Sequence, residues 1–450
     1  MSLPFQHGFS PSRWRQCLEV MLEKDAGNPL IHRLRIIVLL EADLNIALRI
    51  IWMRRLFPAA EKMGFVPEQW GSRKNRNSTD CATMKMLTFE SCRHRRTWVA
   101  MMAMDAAACY DRILTYMSSL CERRHGLPKN ACIAKGKTVF EMLRRVRTAY
   151  GESDGYYTSV GDDLLHGECQ GKTSSPPSWA IYTITLIRAL AKYNPGVKIQ
   201  CVEAIHIVHR LADMFVDDKD MWTESLAPGA RDEKGQLLTS FRRAAQAWER
   251  IIFASGGLLA LHKCYWWMVG WRWDKGMPTL LTPEETNVEL RLENGNDKAL
   301  STIQKMGPDD ANVGLGFRMT PSGTQQPEIK FRTGQSDKIA ARLQSSRLTP
   351  KDAWVLYSAI YNAKIFFPAK ISSYTHVNWS RITSRAVMAF LPKMGFNRNM
   401  KRDLAFAPRS YGGVGLTHGY AKQGAEGICH LLTRLRWKED LGTLMLAVLS

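Results

Sequence analysis

Ala212-Asp-Met-Phe215-Val216-Asp217-Asp218-Lys-Asp-Met-Trp222 is the stretch on which the fold turns. A short apolar run ends in two adjacent carboxylates, and a second apolar pair comes soon after. That is the pattern of a tight turn between two strands, with the acids at its tip. Adjacent carboxylates cannot neutralise each other and need cations. Mg²⁺ takes carboxylate oxygens together with substrate phosphates, and the matching chemistry is phosphoryl transfer at a two-metal centre. A solvated acidic turn has the same letters, so the reading depends on the rest of the chain.

A second acid stands at a suitable place. Trp98-Val-Ala-Met-Met-Ala-Met104 is a continuous apolar run of strand length, and Asp105 comes directly after it. Such a run predicts a strand buried on both faces, with Asp105 at its end. Two metals roughly 3.5–4 Å apart draw acids from at least two strand ends. Asp105, Asp217 and Asp218 make that set, for two Mg²⁺ ions or for Mn²⁺ in their place. Asp105 could equally cap the helix expected soon after it. Between the acids lies Gly167-Glu-Cys-Gln170-Gly171-Lys-Thr-Ser174-Ser175-Pro-Pro-Ser-Trp179. Gly171 allows a backbone to approach a flat ligand closely, Gln170 can hydrogen-bond it, and Ser174 or Ser175 can cap the next helix. An ordinary loop with an N-cap is the competing reading.

Composition narrows the partners. The 450 residues carry 62 Lys and Arg against 42 Asp and Glu, an excess of +20. A globular chain this basic meets a polyanion, either nucleic acid or an anionic membrane. No run of about 20 apolar residues exists, so no transmembrane helix is expected. The N-terminal residues lack the basic and apolar regions of a secretory signal. Nucleic acid is therefore favoured over membrane. Ten cysteines are scattered without a Cys-x-x-Cys, which fits a reduced, intracellular protein with no structural zinc.

Periodicity sketches the rest. Helical spacing is read over 11–62, from Asp80 to about Ser91, over 111–150, from Trp179 to Tyr193, from Arg243 to Ala254, and through most of 337–450. Gly71 to Thr79 reads as a polar, basic loop. Residues 274–312, with Pro278, Pro283 and Glu-Asn-Gly-Asn-Asp, read as a linker or surface excursion. Val313 to Phe331 reads as a short hairpin around Pro321-Ser-Gly323.

In order, Asp105-x-x-x-x-Tyr110-Asp111, Gln170-Gly-x-x-Ser174-Ser-Pro176 and Phe215-Val-Asp-Asp218 resemble a reverse transcriptase palm, more narrowly that of retrotransposons without long terminal repeats. Three further blocks agree. Glu68-Gln-Trp-Gly71-Ser-Arg73-Lys-Asn-Arg76-Asn-Ser-Thr79-Asp80 resembles the fingers block. Ser255-Gly-Gly-Leu-Leu-Ala-Leu-His-Lys263-Cys264 resembles the block that comes after the catalytic turn. Gly314-Leu-Gly316 with Pro321-Ser-Gly323 resembles the primer-grip region. The match covers roughly residues 30–335. Departures include Phe-Val where many relatives have Tyr-Ala, and Ser72 in place of a Phe.

The resemblance implies an α+β right-hand polymerase. Fingers would come from 11–100 and 116–166, a palm from 101–115 and 167–335, and a helical thumb from 336–450. It implies RNA-directed DNA synthesis with an RNA template, a DNA primer and dNTPs. Asp105, Asp217 and Asp218 would hold the ions. Tyr110 would exclude a 2′-hydroxyl, and Gln170 and Gly171 would contact nucleotide and template. Arg73, Arg76 and Arg35 would grip triphosphate or template, where the bidentate guanidinium suits phosphate. Lys263 would stand near the pyrophosphate as a general acid. Blander readings remain for each: a core tyrosine, solvated arginines, a surface lysine. Neither an endonuclease block nor an RNase H acid set is legible, and the apolar end suits part of a longer element protein.

Two alternatives compete. Gly161-Asp162-Asp163 has the letters of the catalytic turn of an RNA-dependent RNA polymerase, but it precedes the Gln170-Gly171 block and its flanks are too poor in apolar residues for two strands. A non-catalytic nucleic-acid-binding protein on a palm scaffold would also be basic. Against it, three acids gathered without metals would repel one another.

Overall fold

The structure, a computed structural model, describes residues 3–449 except 25–26, 29, 32–33, 64–67, 108, 159–166, 201–206, 217, 227 and 438. It is built around the apolar run of the sequence. Val99–Asp105 is a strand in which every residue up to Met104 is buried, and it lies inside a six-stranded sheet. The sheet order is Leu290–Glu293, Leu300–Met306, Tyr265–Val269, Val99–Asp105, Asp218–Glu224 and Ala212–Phe215. All neighbours are antiparallel except Tyr265–Val269 and Leu300–Met306, which run parallel.

Successive strand residues point to opposite faces, and both faces are covered. Ala100, Met102 and Met104 pack with Trp179, Tyr182, Phe241 and Trp248 from helices Ser175–Leu190 and Glu233–Ala254. Met101 and Ala103 pack with Met84 and Phe89 of helix Ser78–Arg95 and with Leu441, Leu444 and Met445 of helix Asp440–Leu449. On that face Phe89 stands edge-on to Trp222, with centroids 4.8 Å apart, a geometry that adds about 0.5–1.5 kcal/mol beyond area burial. The α+β class expected from the sequence is the class observed.

A second sheet has the order Leu34–Leu40, Gln16–Glu23, Leu143–Thr148, Gly151–Glu152. It corrects the helical reading of 11–62. After a short 3-10 turn at Ser12–Arg15 come two strands, and α-helix begins only at Ala42. Gln16–Glu23 pairs with Leu34–Leu40 antiparallel and with Leu143–Thr148 parallel. That last partner lies far along the chain, so no local window reveals it, and it also ends the helical stretch expected to run to residue 150. Residues 274–312 are no linker. Leu290 and Leu292 of one strand and Ile303 of the next are buried in the main core, and both strands belong to the main sheet. The polar letters fall on the outer face. The hairpin expected around Pro321-Ser-Gly323 forms earlier, between Asn312–Gly314 and Phe317–Met319, where Leu315 and Gly316 both take positive φ.

Beyond it, helices Gln326–Ser345, Pro350–Val355 and His376–Lys393 enclose a separate core rich in Tyr357, Tyr361, Phe366, Trp379 and Phe390, while helix Gly419–Arg436 sends Leu431 and Leu435 towards the main-sheet cluster. No described helix is long and apolar enough to cross a membrane.

Candidate active site

The register of the main sheet sets Asp105 opposite Asp218 on adjacent antiparallel strands. Asp105 shares its face with Met101 and Ala103, and Asp218 shares that face with Asp220 and Trp222. The two carboxylates therefore stand side by side at one end of the sheet. Asp105 does not serve as a helix cap. The backbone beyond it pairs instead with Leu258–Ala260, through Ala107 N to Leu258 O at 2.8 Å and Ala260 N to Asp105 O at 2.9 Å. This pairing delivers Lys263, whose Nζ lies 3.1 Å from Asp105 Oδ2, with both side chains partly exposed.

The acidic turn follows a tight cross-strand pair, Phe215 with Asp218. Asp217, expected as a metal ligand, lies outside the described residues, as does the Gly161-Asp162-Asp163 stretch. Val216 has φ +64°, an outlying conformation for a β-branched residue. Its surroundings hold it there. The Trp179 indole N–H donates to Val216 O. Gln69 Oε1 accepts from Gly71 N at 3.2 Å and from Val216 N at 3.4 Å. A Cβ on Gly71 would come within 2.7 Å of Val216 Cγ2, so only glycine lets this backbone lie against the turn. Residues 68–70 hydrogen-bond to Met214 as a further edge, with Trp70 N to Met214 O at 2.7 Å.

The Gly167–Ser175 loop packs against Tyr110 and strand Leu34–Leu40. Glu168 N donates to Tyr110 O at 2.6 Å, and the Tyr110 ring stands edge-on to Trp179 at 6.4 Å. Gln170 O accepts from Val38 N at 2.7 Å. Gly171 has φ +110°, and a Cβ there would fall 2.4 Å from Val38 O. The loop is thus docked on strand Leu34–Leu40, which also carries the exposed Arg35. Neither expected serine cap is made: Ser174 occupies the cap position without a side-chain cap bond, and Ser175 Oγ donates to Glu168 O and Cys169 O.

Arg73 and Arg76 are drawn inward. Arg73 Nε pairs with Glu61 at 2.7 Å and its Nη1 donates to Gln69 O at 3.2 Å. Arg76 pairs with Glu439 at 2.8 Å and lies over the Trp70 ring.

Sequence reasoning missed the buried charges that support these pieces. Glu168 and Glu122 are fully buried. Lys135 Nζ bridges them, 2.5 Å from Glu168 Oε1 and 2.6 Å from Glu122 Oε1, and Lys172 Nζ is 2.9 Å from Glu168 Oε2. Burial pushes the Glu168 carboxyl up, but Lys135 and Lys172 outweigh it and hold it at about 2. Beneath the acids, Lys85 pairs with the buried Asp220 and Arg210 with the buried Asp213. Burial raises Asp220 above the usual carboxylate range against the pull of Lys85. The one available signal was unusual placement: lysines and glutamates at helix positions that spacing assigns to the core.

Among the described residues no group of three or more acids, histidines or cysteines gathers as a metal site. Asp105 and Asp218 offer hard carboxylate oxygens from two strand ends, the donor type Mg²⁺ takes. A scan against family models returns no match, and a search of curated proteins returns none. Solved structures do match. Apo telomerase from Candida tropicalis aligns at 11% identity and TM-score 0.44 over 97% of this chain and 70% of that one. A form truncated from the C-terminal domain aligns at 13% and 0.40 over 65% and 56%. Telomerase from Candida albicans in complex with a telomeric RNA fragment aligns at 11% and 0.38 over 90% and 67%. The chain thus spans a little over half to about two thirds of those proteins, and at these scores the likeness is one of partial chain course.

Proposed function

We propose that the chain is an RNA-directed DNA polymerase, a reverse transcriptase of retrotransposon type, adding dNTPs to a primer 3′-hydroxyl. The observation that carries this reading is the cross-strand pairing of Asp105 with Asp218 at the end of a buried strand, beside a turn held in a strained conformation. Six sequence blocks in polymerase order support it, as does the docking of three of them on Trp179, Val216 and Val38.

In this reading Asp105, Asp217 and Asp218 hold two Mg²⁺ ions. Bound there, the ions would activate the primer hydroxyl and neutralise the leaving pyrophosphate. Lys263, beside Asp105, would give a proton to the leaving group. Tyr110, backed by Trp179, would bar a 2′-hydroxyl sterically. Gln170 and Gly171 would present the loop to nucleotide and template. Arg35 remains on the open side of its strand, whereas Arg73 and Arg76 would have to leave Glu61 and Glu439 to reach a triphosphate. The hand assignment is fingers from 11–100 and 116–166, palm from 101–115 and 167–335, and thumb from 336–450. The helical stretch 326–436 holds 18 Lys and Arg against 5 Asp and Glu, which suits it to a nucleic-acid backbone.

Primer extension tests the proposal. The protein should extend a DNA primer on an RNA template with dNTPs and Mg²⁺, and Asp217→Ala should not. Absence of extension by the unaltered protein with both Mg²⁺ and Mn²⁺ would overturn it. Tyr110→Gly should begin to accept ribonucleotides; acceptance from the start would point to an RNA polymerase.

A further inference from the structure

The helical body contains a cavity of about 620 Å³ that shares no residue with the acid site. Lys370, Lys422, His430 and Arg434 line it, together with Phe367 and Glu426. At its base sits Asp80, the last residue of the Glu68–Asp80 block, fully buried. Arg434 Nη2 donates to Asp80 Oδ2 at 2.6 Å, and Lys370 Nζ stands 3.5 Å from Asp80 Oδ1. Asn77 N also donates to Asp80 Oδ2, at 3.1 Å. One carboxylate therefore serves two full cations and a backbone donor. The remaining positive charge is buried beside open space. At the mouth, Lys422 is matched by Glu426 at 2.6 Å, so the excess is not cancelled there.

One buried guanidinium donor, Arg434 Nε, and one buried ring nitrogen, His430 Nδ1, remain unmet among the described residues; His430 Nδ1 is 3.7 Å from Asp80 Oδ1, beyond hydrogen-bonding reach. Burial, with the charges of Lys370 and Arg434 prevailing over Asp80, lowers His430 to about 4. Lys370 and Arg434 together face the single carboxylate of Asp80, which leaves one positive charge in excess at the base of the cavity. Buried unpaired donors are costly unless an acceptor reaches them.

We propose that this cavity binds a phosphate group, carried either by a mononucleotide or by a nucleic-acid strand. Phosphate supplies several acceptor oxygens and the missing negative charge. It would compete with Asp80 for Lys370 and Arg434. Arg434 also donates to Asn75 O at 3.2 Å, so the site connects with the 71–77 loop that leads back to Gly71 and the acidic turn.

Calorimetric titration of the full chain with inorganic pyrophosphate in EDTA tests the proposal, because EDTA removes the divalent ions that an acid site would need. One saturable site is expected. Lys370→Gln should weaken it at least tenfold, Lys422→Gln severalfold, and Asp105→Asn not at all. Lys422 is partly exposed, so its variant keeps the test meaningful should Lys370→Gln fold poorly. No saturable binding, or binding unchanged in both lysine variants, overturns the proposal. So does binding lost in Asp105→Asn but kept in Lys370→Gln. Tighter binding of a 5′-mononucleotide than of an unphosphorylated single-stranded oligonucleotide assigns a terminal phosphate; the reverse assigns the strand backbone.

Discussion

Glu168→Gln keeps the side-chain shape and removes one buried charge, and the surrounding ion pairs set the cost. Glu168 Oε1 accepts from Ser118 Oγ at 3.1 Å and faces Lys135, while Oε2 faces Lys172 at 2.9 Å. After the change Lys135 keeps Glu122 at 2.6 Å, but Lys172 loses its carboxylate. One stranded buried ammonium costs about 3–5 kcal/mol, a large share of the roughly 5–15 kcal/mol that holds a domain together. The urea midpoint should fall accordingly. Adding Lys172→Met to the Gln variant removes the stranded charge and should recover roughly half of the loss, a coupling that independent sites do not show. Acidity gives a second reading. The folded carboxyl is depressed to about 2 from 4.5, so its contribution is present above the ordinary glutamate range and is lost as pH falls from about 4.5 towards 2. The unaltered protein should lose stability across that window, and Glu168→Gln should show a flatter profile. A loss below about 1 kcal/mol, or a double variant less stable than the single, would refute the reasoning.

Three other expectations concern the acid site and the loop beside it. Asp105→Asn should abolish primer extension with little change in the unfolding midpoint, since Asp105 is partly exposed. Lys263→Met should slow extension by roughly a hundredfold or more, the scale of general acid catalysis, while primer–template binding stays unchanged in a filter assay. Gly171→Ala forces a side chain to φ +110° and against Val38 O, costing roughly 1–3 kcal/mol; Gly155→Ala, with nothing within 4 Å, should be silent in the same thermal melts.

How far the letters reveal an element depends on where its determining contacts lie. Val99–Asp105 was legible because burial on both faces removes every polar letter from a strand. The helix Ser175–Leu190 was legible from its apolar spacing and the prolines in its first turn, although neither expected serine cap forms. Gln16–Glu23 and Leu34–Leu40 were not. Apolar letters on both faces of these strands blur the alternation, the inward Glu19 is a charge, and the distant partner Leu143–Thr148 lies outside any local window. Residues 290–306 were hidden for another reason: an outer strand of a sheet carries polar residues on its open side, and the composition of a linker results. Asp105 and Asp218, which the register sets opposite each other, were legible as types and in order. Their supports, Glu168 with Lys135 and Asp220 with Lys85, were not, because a buried charge is recognisable only once its partner is known.

The acidic turn itself illustrates the difference between a letter pattern and a site. Two adjacent aspartates on a free surface hairpin would sit most easily on Asn-Gly or Gly-rich tips, which accept positive φ without strain. Here a valine takes that conformation, at a cost of order 1–3 kcal/mol. Strain of that kind persists only where neighbours over-determine it. The neighbours are Trp179, Gln69 and Gly71, contributed by two segments far from the turn in sequence and belonging to two other polymerase-like blocks. Relaxing the turn with Val216→Gly should therefore stabilise the hairpin locally while loosening the position of Asp218 relative to Asp105. Extension should fall while the unfolding midpoint holds or rises. A variant that extends primers as fast as the unaltered protein would mean that the strain is incidental and that the register of Asp105 with Asp218 suffices by itself.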